Sequence, residues 1–408
     1  MPQVDATSRP PVRSTLRRPL RTPLRPFASA PYWFLLPYWF LRPCLCLLSC
    51  LSLPPFAATA AAEPAPPRRV TVFVSGEEGY HTFRIPALVV TPQGALLAIC
   101  EGRKTNRADH GDVDLVYKRS ADGGRTWGPL RLLYEEGATA LTTIGNPCPV
   151  VDQQTGIIWL PFTRDNDAVL LTSSDDDGQS WSAPRNITTQ VKKKTWQWYA
   201  TGPGNGIQLQ HGAQRGRLII PCDHRLQAVA DRQEASHSHI FYSDDHGATW
   251  QLGGAAASRT NECAVVELSR DRLMLNMRSF RGTGKRAVAI SQDGGLTWGE
   301  TQDDPILIEP CVQASLLRYI PGTAQSPSPL LFVNPATTQG RHHLTVRWSG
   351  DEGRTWPVQR LLEEGSAAYS SLAQLPDGRL GVLYERADYG QIGLAVFTLD
   401  WLSAEAPQ

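Results

Sequence analysis

A short pattern, Ser-x-Asp-x-Gly-x-Thr/Ser-Trp, recurs five times in this chain of 408 residues. The copies begin at Ser120, Ser174, Ser243, Ser291 and Ser349, so successive serines are 54, 69, 48 and 58 residues apart. Repeats with a period near 50 residues are typical of propeller blades and solenoid units. A chain built in this way folds as a series of similar units, each completed by its neighbours.

The pattern itself predicts a tight turn. The Asp accepts backbone N–H bonds and the Gly supplies a positive φ. We expect the Trp to pack between neighbouring sheets, with its indole N–H bonded. Runs rich in β-forming residues, such as 113–117, 168–172 and 344–348, come just before the boxes. Each box therefore predicts a hairpin between two strands of one blade.

The number of boxes predicts the architecture. Five boxes in about 340 residues indicate an all-β, six-bladed β-propeller in which one blade lacks a box. We expect the ring to close by pairing of the last strands, near 380–384 and 392–397, with the first, near 70–73. A propeller carries its site at one end of the central channel, on loops from several blades. Site residues should then be scattered along the chain, near the starts of strands.

The first 62 residues read as a leader for export. Six arginines between positions 9 and 25 precede an apolar stretch at 31–56 that several prolines interrupt, and an Ala-rich cleavage site follows at 57–62. This order predicts a secreted, periplasmic or cell-surface protein. Lipid attachment at Cys50 and a retained anchor remain alternatives to simple cleavage. A Pro-rich spacer at 63–69, the propeller at 70–402 and a short tail at 403–408 complete the predicted organisation.

Charge and cysteine content exclude several classes of function. The net charge is +1, but residues 1–69 hold nine Arg against one Asp and one Glu, so they carry +7 and the remainder −6. A mildly acidic body argues against a nucleic-acid partner. No CxxC pair or cofactor motif occurs, so we expect neither metal nor cofactor. His342 and His343 are adjacent, and neighbours on a strand should face opposite sides. Beyond the leader there are five cysteines, expected mainly as single buried thiols: Cys100, Cys148, Cys222, Cys263 and Cys311.

One charged residue stands inside an apolar strand, in Phe83-Arg84-Ile85-Pro86. A buried arginine is costly unless it is paired, so a structural salt bridge and a ligand contact fit equally well. Together with the five boxes, however, this motif resembles the signature of the sialidase (neuraminidase) superfamily. The resemblance covers residues 70–402. It implies a six-bladed propeller with exo-α-sialidase activity, which releases terminal sialic acid with retained configuration.

The resemblance implies three arginines that hold the substrate carboxylate. They match Arg84, Arg278 and Arg341, with Arg347 as a rival for the third position. The chemistry suits the residue type, because a guanidinium group is always charged and donates two parallel hydrogen bonds to a carboxylate. Each arginine could instead be a structural residue.

The resemblance also implies the reacting groups. The nucleophile matches Tyr369 and its base Glu262. A neutral phenol avoids the repulsion that a carboxylate would meet at a carbon already bearing one. The acid/base catalyst matches Asp109, on a loop expected between the first two strands of a blade. Asp112 and Asp114 compete for that role.

Further positions have a weaker match. Glu385 matches a carboxylate that orients the first arginine, and Glu101 and Arg103 fit a position near the pocket. The segments 146–148 and 198–204 are either pocket-lining loops or ordinary turns.

The partners implied are sialylated glycoproteins, glycolipids and oligosaccharides, with no obligatory protein partner evident. Transfer of sialic acid, to another sugar or within the molecule, and a non-catalytic sialic-acid-binding propeller are the alternatives.

Overall fold

A computed structural model describes residues 64–137, 141–320 and 328–404. The leader predicted at 1–62, including Cys50, and residues 405–408 of the predicted tail lie outside the described residues. Strands dominate the described part, and its two helices have only four and five residues: α1 (Thr188–Val191) and α2 (Leu399–Ser403). Within the described ranges, no helix has the length and apolar character needed to cross a bilayer.

Four antiparallel sheets of four or five strands follow one another along the chain. The first contains β2 (Thr82–Val90), β3 (Leu96–Arg103), β4 (Val113–Ser120) and β5 (Arg131–Tyr134). The second contains β6 (Ile144–Gly145), β7 (Val150–Val151), β8 (Ile158–Arg164), β9 (Ala168–Ser174) and β10 (Arg185–Asn186). The third contains β11 (Trp196–Thr201), β12 (Ile207–Gln208), β13 (Leu218–Leu226), β14 (Ser236–Ser243) and β15 (Gln251–Ser258). The fourth contains β16 (Thr260–Glu267), β17 (Leu273–Ser279), β18 (Lys285–Ser291) and β19 (Gln302–Ile308).

The fifth sheet has seven strands and closes the propeller. It contains β20 (Ser315–Arg318), β21 (Leu330–Pro335), β22 (His342–Ser349), β23 (Val358–Gln374), β24 (Leu380–Arg386), β25 (Gln391–Phe397) and, at its edge, β1 (Arg68–Val74). The pairing of β1 with β25, which joins Arg68 to Val396 in register, confirms the predicted closure.

The fold is an all-β propeller arrangement, but the expectation of six separate blades is not met. The hydrogen-bonded strands form four separate blades and one larger sheet. The physical reason is the 17-residue strand β23, whose first part pairs with β22 and whose second part pairs with β24. One continuous strand therefore links two groups of strands that the sequence pattern suggested would be separate.

Hydrophobic side chains fill the spaces between successive sheets. Leu88 of the first sheet packs with Leu394 of the fifth, and Leu160 of the second packs with Ile99 of the first. Sheets packed face to face in this way exclude water from both faces of each sheet, which is the main stabilising contribution to such a fold.

The five boxes form the turns that the sequence predicted, each between the last two strands of its group. In the second box, Ser174 Oγ donates to Asp176 Oδ1 at 2.8 Å, and the backbone N–H of Ser180 donates to the same carboxylate at 2.9 Å. Gly178 has φ of 76° and donates its N–H to Ser174 Oγ. The other four boxes repeat this arrangement.

Each box glycine lies against a side chain of the preceding sheet. A methyl group on Gly178 would overlap Leu97 of the first sheet, and one on Gly247 would overlap Trp159 of the second. Glycine is therefore required twice at these positions, for its positive φ and for the close approach of two blades.

The expectation for the box tryptophans is only partly right. Trp250 and Trp298 donate their indole N–H to the carbonyls of Gly247 and Gly254. The indole N–H groups of the other three are buried without a partner among the described residues: Trp127, Trp181 and Trp356. The rings are fixed by packing against neighbouring apolar side chains, so the hydrogen bond is not a requirement of the motif.

Candidate active site

One edge of the sheets carries the predicted site residues. Arg84 and Glu262 lie near the starts of β2 and β16, whereas Arg278 and Glu385 lie at the ends of β17 and β24. The starts of first strands and the ends of second strands meet at the same edge, because the strands are antiparallel. Tyr369 lies in β23 shortly after the point where pairing passes from β22 to β24.

A cavity of about 170 Å³ opens at this edge. Seven of the eight predicted site residues line it, and the eighth, Glu385, lies behind Arg84. The lining is mostly polar and includes residues from the first four sheets and the fifth. The lining residues that carry the argument below are Arg84, Arg103, Asp109, Trp198, Asp223, Glu262, Arg278, Arg341 and Tyr369.

A bulge in β2 directs Arg84 into the cavity. The register with β3 shifts between Arg84 and Ala87, and Ile85 has φ of 59°. A β-branched residue at positive φ is strained, and bulges of this kind re-aim side chains next to sites. Glu385 compensates, since its Oε1 accepts from Arg84 Nε at 2.6 Å and from the Ile85 N–H at 2.9 Å.

Glu385 also fixes the nucleophile candidate. Its Oε2 accepts a hydrogen bond from the backbone N–H of Tyr369 at 3.1 Å. One buried carboxylate thus holds Arg84 and the Tyr369 backbone together across 285 residues of sequence. Burial acts to lower the pKa of Arg84, but the Glu385 carboxylate outweighs it and the pKa is raised. The guanidinium is therefore charged at every working pH.

Tyr369, Glu262 and Arg278 form one hydrogen-bonded group. The Tyr369 hydroxyl donates to Glu262 Oε1 at 2.5 Å. Arg278 Nη1 donates to Glu262 Oε2 at 2.8 Å and to the Tyr369 hydroxyl at 3.1 Å. A phenol joined to a carboxylate by so short a bond has a direct route for its proton, which is the arrangement that an activated nucleophile requires.

Three guanidinium groups surround Tyr369, and we call Arg84, Arg278 and Arg341 the arginine cluster. The Cζ atoms of Arg84 and Arg341 lie 5.4 and 5.5 Å from the Tyr369 ring centroid. Arg84 and Arg278 each have a carboxylate partner. Within the described residues Arg341 forms no ion pair, and its Nη1 donates to the Tyr389 hydroxyl at 3.2 Å.

The Tyr369 phenol is held neutral before any reaction. Burial raises its pKa well above the ordinary value, and the charge of Glu262 raises it further, while the arginine cluster acts in the opposite direction. The proton is therefore lost only when a partner accepts it, and Glu262 is the acceptor within reach.

Asp109 lies at the mouth of the cavity with its side chain exposed. Its Oδ1 accepts from Arg103 Nη1 at 2.9 Å and lies 3.9 Å from Arg84 Nη1. Burial acts to raise the pKa of this carboxyl, but Arg103 and then Arg84 lower it overall. The loop joins β3 and β4, the second and third strands of the first sheet, so the expectation that it joins the first two strands is wrong.

Arg103 is a buried link between this loop and the second sheet. It donates to Glu101 Oε2 through Nε and Nη2, at 3.0 and 2.7 Å, and to the Arg107 carbonyl through Nη1. Glu101 Oε1 in turn accepts the backbone N–H of Asn146 at 3.0 Å. Arg103 and Glu101 therefore fix the base of the loop that carries Asp109.

The rivals for these positions are directed elsewhere. Asp112 and Asp114 both pair with Lys104, at 3.0 and 3.2 Å, and Asp114 also accepts from the Tyr80 hydroxyl. Arg347 is buried and donates to Asn334 Oδ1 at 2.9 Å, away from the cavity. Neither alternative to Asp109, nor the alternative to Arg341, lines the cavity.

Of the two candidate loops, each contributes in part. Asn146 from the first, and Trp198 and Ala200 from the second, line the cavity. Pro203 and Gly204 line a different cavity of about 250 Å³ along the propeller axis.

Sequence reasoning missed a polar wall opposite the arginine cluster. Asp223 on β13 is only 1% exposed, and its Oδ2 accepts from Asn261 Nδ2 at 2.6 Å. Burial raises the pKa of Asp223 to about 8, helped by the charge of Glu262 and opposed by Arg225, Arg278 and the Trp198 indole N–H. The missed signal was an acid inside an apolar strand, Leu218–Leu226, which is the same kind of signal that singled out Arg84.

The histidine pair does not behave as expected on a regular strand. His343 has φ of 58°, the register of β22 shifts there, and the His342 and His343 Nδ1 atoms come into contact. The expectation of opposite faces is therefore wrong, because the positive φ interrupts the alternation. Among the residues described, no group of three or more His, Cys, Asp or Glu side chains could hold a metal ion. The five cysteines after the leader are free thiols, four of them buried.

Comparisons with known proteins place the chain among relatives of one kind. Residues 94–382 match a family described as a BNR repeat-like domain. The chain is 36% identical over 376 residues to a sialidase of Micromonospora viridifaciens, covering 85% of this chain and 57% of that protein. It is 35% identical to a sialidase of Bacteroides fragilis, covering 76% of this chain and 61% of that protein. Sialidase-2 of Cricetulus griseus is 30% identical, with 81% and 95% covered.

Solved structures agree with the fold. The Hadza microbial sialidase Hz136 superposes with a TM-score of 0.75 at 34% identity, covering 82% of this chain and 69% of that one. An intramolecular trans-sialidase from Ruminococcus gnavus gives a TM-score of 0.69 at 18% identity, covering 85% and 100%, which shows the shared fold alone. The chain spans less than two thirds of the length of the Micromonospora and Bacteroides relatives.

Proposed function

The chain belongs to the sialidase family with BNR repeats, and we propose that it is an exo-α-sialidase that hydrolyses terminal sialic acids with retention of configuration. The substrates are sialylated glycoproteins, glycolipids and oligosaccharides. The observation that carries the proposal is the arginine cluster around Tyr369. Three positive groups at one phenol repel one another, and an anionic ligand of carboxylate size relieves that repulsion.

The arginine cluster performs substrate capture. A carboxylate accepts two parallel hydrogen bonds from a guanidinium fork, and three forks fix its plane. Arg341 contributes the charge that has no carboxylate partner among the described residues, so it gains most from an anionic ligand. Holding the carboxylate positions the adjacent anomeric carbon beside the Tyr369 hydroxyl, which is proximity catalysis.

The first chemical step forms a covalent intermediate. The Tyr369 oxygen bonds to the anomeric carbon as the bond from that carbon to the glycosidic oxygen breaks. The phenol proton passes to Glu262, 2.5 Å away, and Asp109 gives its proton to the departing oxygen. In the second step Asp109 takes a proton from water, the water oxygen replaces Tyr369, and Glu262 returns the proton to the phenol.

Substrate binding prepares Asp109 for its first role. Arg103 and Arg84 hold the pKa of Asp109 below its ordinary value in the free protein. A substrate carboxylate on Arg84 cancels part of that positive potential, so the pKa of Asp109 rises when the site is occupied. The acid is thus protonated most readily when there is a leaving group to receive its proton.

We also propose that the seven-stranded sheet counts as two blades that share β23, which makes six. Six segments of chain line the axial cavity of about 250 Å³, and one apolar cluster, with Leu331 and Val382, lies between the two halves of this sheet. Residues 1–62 remain our proposed export leader, with lipid attachment at Cys50 or a retained anchor as the alternatives.

The test of the function uses the full chain and two synthetic substrates. Incubation with α2,3- and α2,6-linked sialosides should release free sialic acid, measured by mass spectrometry. An anhydro product or a sialylated acceptor sugar would assign transfer instead of hydrolysis. Binding without any product would assign a non-catalytic lectin. The Arg341→Ala variant should raise KM more than it lowers kcat, since it removes a capture residue.

A further inference from the structure

Tyr389 contacts two members of the arginine cluster at once. The Arg84 Cζ lies 4.3 Å from the Tyr389 ring centroid, closer than it lies to the Tyr369 ring. The Tyr389 hydroxyl accepts a hydrogen bond from Arg341 Nη1 at 3.2 Å. One side chain therefore presents a π face to one guanidinium group and an oxygen to another, and both contacts are attractive.

The backbone at Tyr389 is held in an unfavourable conformation. Ala387, Asp388 and Tyr389 have φ of 52°, 51° and 68° in the turn between β24 and β25. Three consecutive non-glycine residues at positive φ are costly, and such strain persists only where surrounding contacts impose it. Here the turn is closed by the Gly390 N–H, which donates to the Ala387 carbonyl at 2.8 Å.

Ser75, just after β1, ties this turn to the strand that carries Arg84. Its hydroxyl donates to the Tyr389 carbonyl at 2.7 Å and accepts the backbone N–H of Phe83 at 3.3 Å. The Ser75 N–H donates to the Gly390 carbonyl at 2.9 Å. The backbones on either side of the Arg84–Tyr389 contact are therefore joined through one residue.

The electrostatic setting explains what this contact does. Arg84 is oriented by Glu385, and Arg278 by Glu262. Within the described ranges, Arg341 has no such carboxylate, and the Tyr389 hydroxyl is its one side-chain hydrogen-bond partner. A neutral acceptor orients a guanidinium group without neutralising it, so the charge stays available for a ligand.

We propose that Tyr389 is a positioning residue for carboxylate recognition: it aligns Arg341 and Arg84 on the substrate carboxylate without touching the reacting atoms. This inference rests on the proposed sialidase function. It makes the effect of Tyr389 conditional on the ligand, since a residue that acts only through the arginines matters only for a ligand with a free carboxylate.

The test compares two ligands that differ in this group alone. The ligands are an unsaturated sialic acid analogue and its methyl ester, and their binding to the full chain is measured by calorimetry. Tyr389→Phe should weaken binding of the acid about tenfold, because it removes a hydrogen bond to a charged group. Binding of the ester should change by less than about twofold. Tyr389→Ala, which also removes the stacked ring, should weaken binding of the acid more than Tyr389→Phe does.

Controls separate positioning from folding. Tyr134→Phe removes a comparable phenol–carboxylate hydrogen bond, to Glu136, outside the cavity, and should leave the affinity for both ligands unchanged. Turnover should follow the same division, with KM raised and kcat nearly constant in Tyr389→Phe. Equal weakening of acid and ester, or no weakening of either, would overturn the proposal. A wild-type chain that binds the acid no better than the ester would instead overturn the arginine clamp, and Tyr389's role with it.

Discussion

The box turns and the catalytic edge are two kinds of structure in one propeller. In each box, the hydrogen bonds of the Asp join residues no more than four apart, and five copies have the same geometry. At the catalytic edge, the bonds join residues that are far apart, as with Tyr369 and Glu262 or Arg84 and Glu385. The boxes are short-range and repeated, whereas the site is long-range and occurs once.

The two regions also treat carboxylates in opposite ways. Hydrogen bonds from the Ser180 side chain and backbone lower the pKa of Asp176, in a box, to about 2. Burial raises the pKa of Asp223, in the cavity, to about 8. The difference teaches that box acids are fully satisfied by their own turn, while the acid in the cavity is kept neutral by lack of water and by a neighbouring charge.

The largest expected effect is a loss of turnover without a loss of fold. Tyr369→Phe removes the nucleophile and should lower kcat by roughly a thousandfold or more, as removal of a covalent catalyst does in other enzymes. The midpoint of thermal unfolding should stay within a few degrees of the wild type. The measurement is turnover of a synthetic sialoside beside a melting curve. Near-wild-type rates would show that another group is the nucleophile.

The next prediction uses the opposite pKa shifts. The Asp223 carboxyl stays protonated in the folded protein up to about pH 8, but ionises near 4 when unfolded, so its contribution to stability is complete below pH 4 and is lost as pH rises toward 8. Between pH 5 and pH 8 the free energy of unfolding should fall by up to about 4 kcal/mol more in the wild type than in Asp223→Asn.

Denaturant unfolding at several pH values checks this. Asp176→Asn is the matched variant from a box. Its pKa is lowered, so the wild-type Asp176 contributes stability above pH 4 that is lost on acidification toward 2. If Asp223→Asn and the wild type lose stability in parallel between pH 5 and 8, Asp223 is ionised in the folded protein and the contrast between the two regions fails.

A third substitution should damage the box and spare the site. Gly178→Ala meets both a positive φ and an overlap with Leu97 of the preceding sheet, and should cost about 3 kcal/mol of stability. Gly79→Ala is the control, since Gly79 has φ of 87° with open space around it and should cost only about 1 kcal/mol. Chemical unfolding measures both. A KM or kcat changed by Gly178→Ala at a temperature where it is folded would contradict the independence of the two regions.

The smallest expected effect concerns the box tryptophans. Trp250 and Trp356 are similarly buried, but only the Trp250 indole N–H has a partner, the Gly247 carbonyl. Trp250→Phe should therefore destabilise the protein by about 1 kcal/mol more than Trp356→Phe, the ordinary value of one hydrogen bond. Equal losses of free energy would mean that this bond contributes nothing beyond packing.

The comparison also explains how much the sequence could predict. The box hairpins, the all-β propeller and the pairing of the first strand with the last follow from local patterns and the repeat. The shared strand β23 could not be predicted, because its two halves read as separate strands and nothing local requires a break.

The site was accessible only in part. Its residue types could be named from the family resemblance, but their partners come together through the fold. The wall around Asp223 was missed, since an acid in an apolar strand was not given the weight that Arg84 received. Bulges at Ile85 and His343 were equally hidden, because both residues are unfavourable at positive φ and only tertiary contacts impose it.

The pairing of β1 with β25 has a consequence for how the molecule is made. Thr71 and Gly393 lie opposite each other, although 321 peptide bonds separate them. A chain that emerges from the ribosome or through a membrane pore N-terminus first produces the edge strand at once and its partner nearly last. Throughout that interval the strand's amide and carbonyl groups are unsatisfied and prone to foreign pairing. Export of this protein is therefore the stage at which it most needs a chaperone.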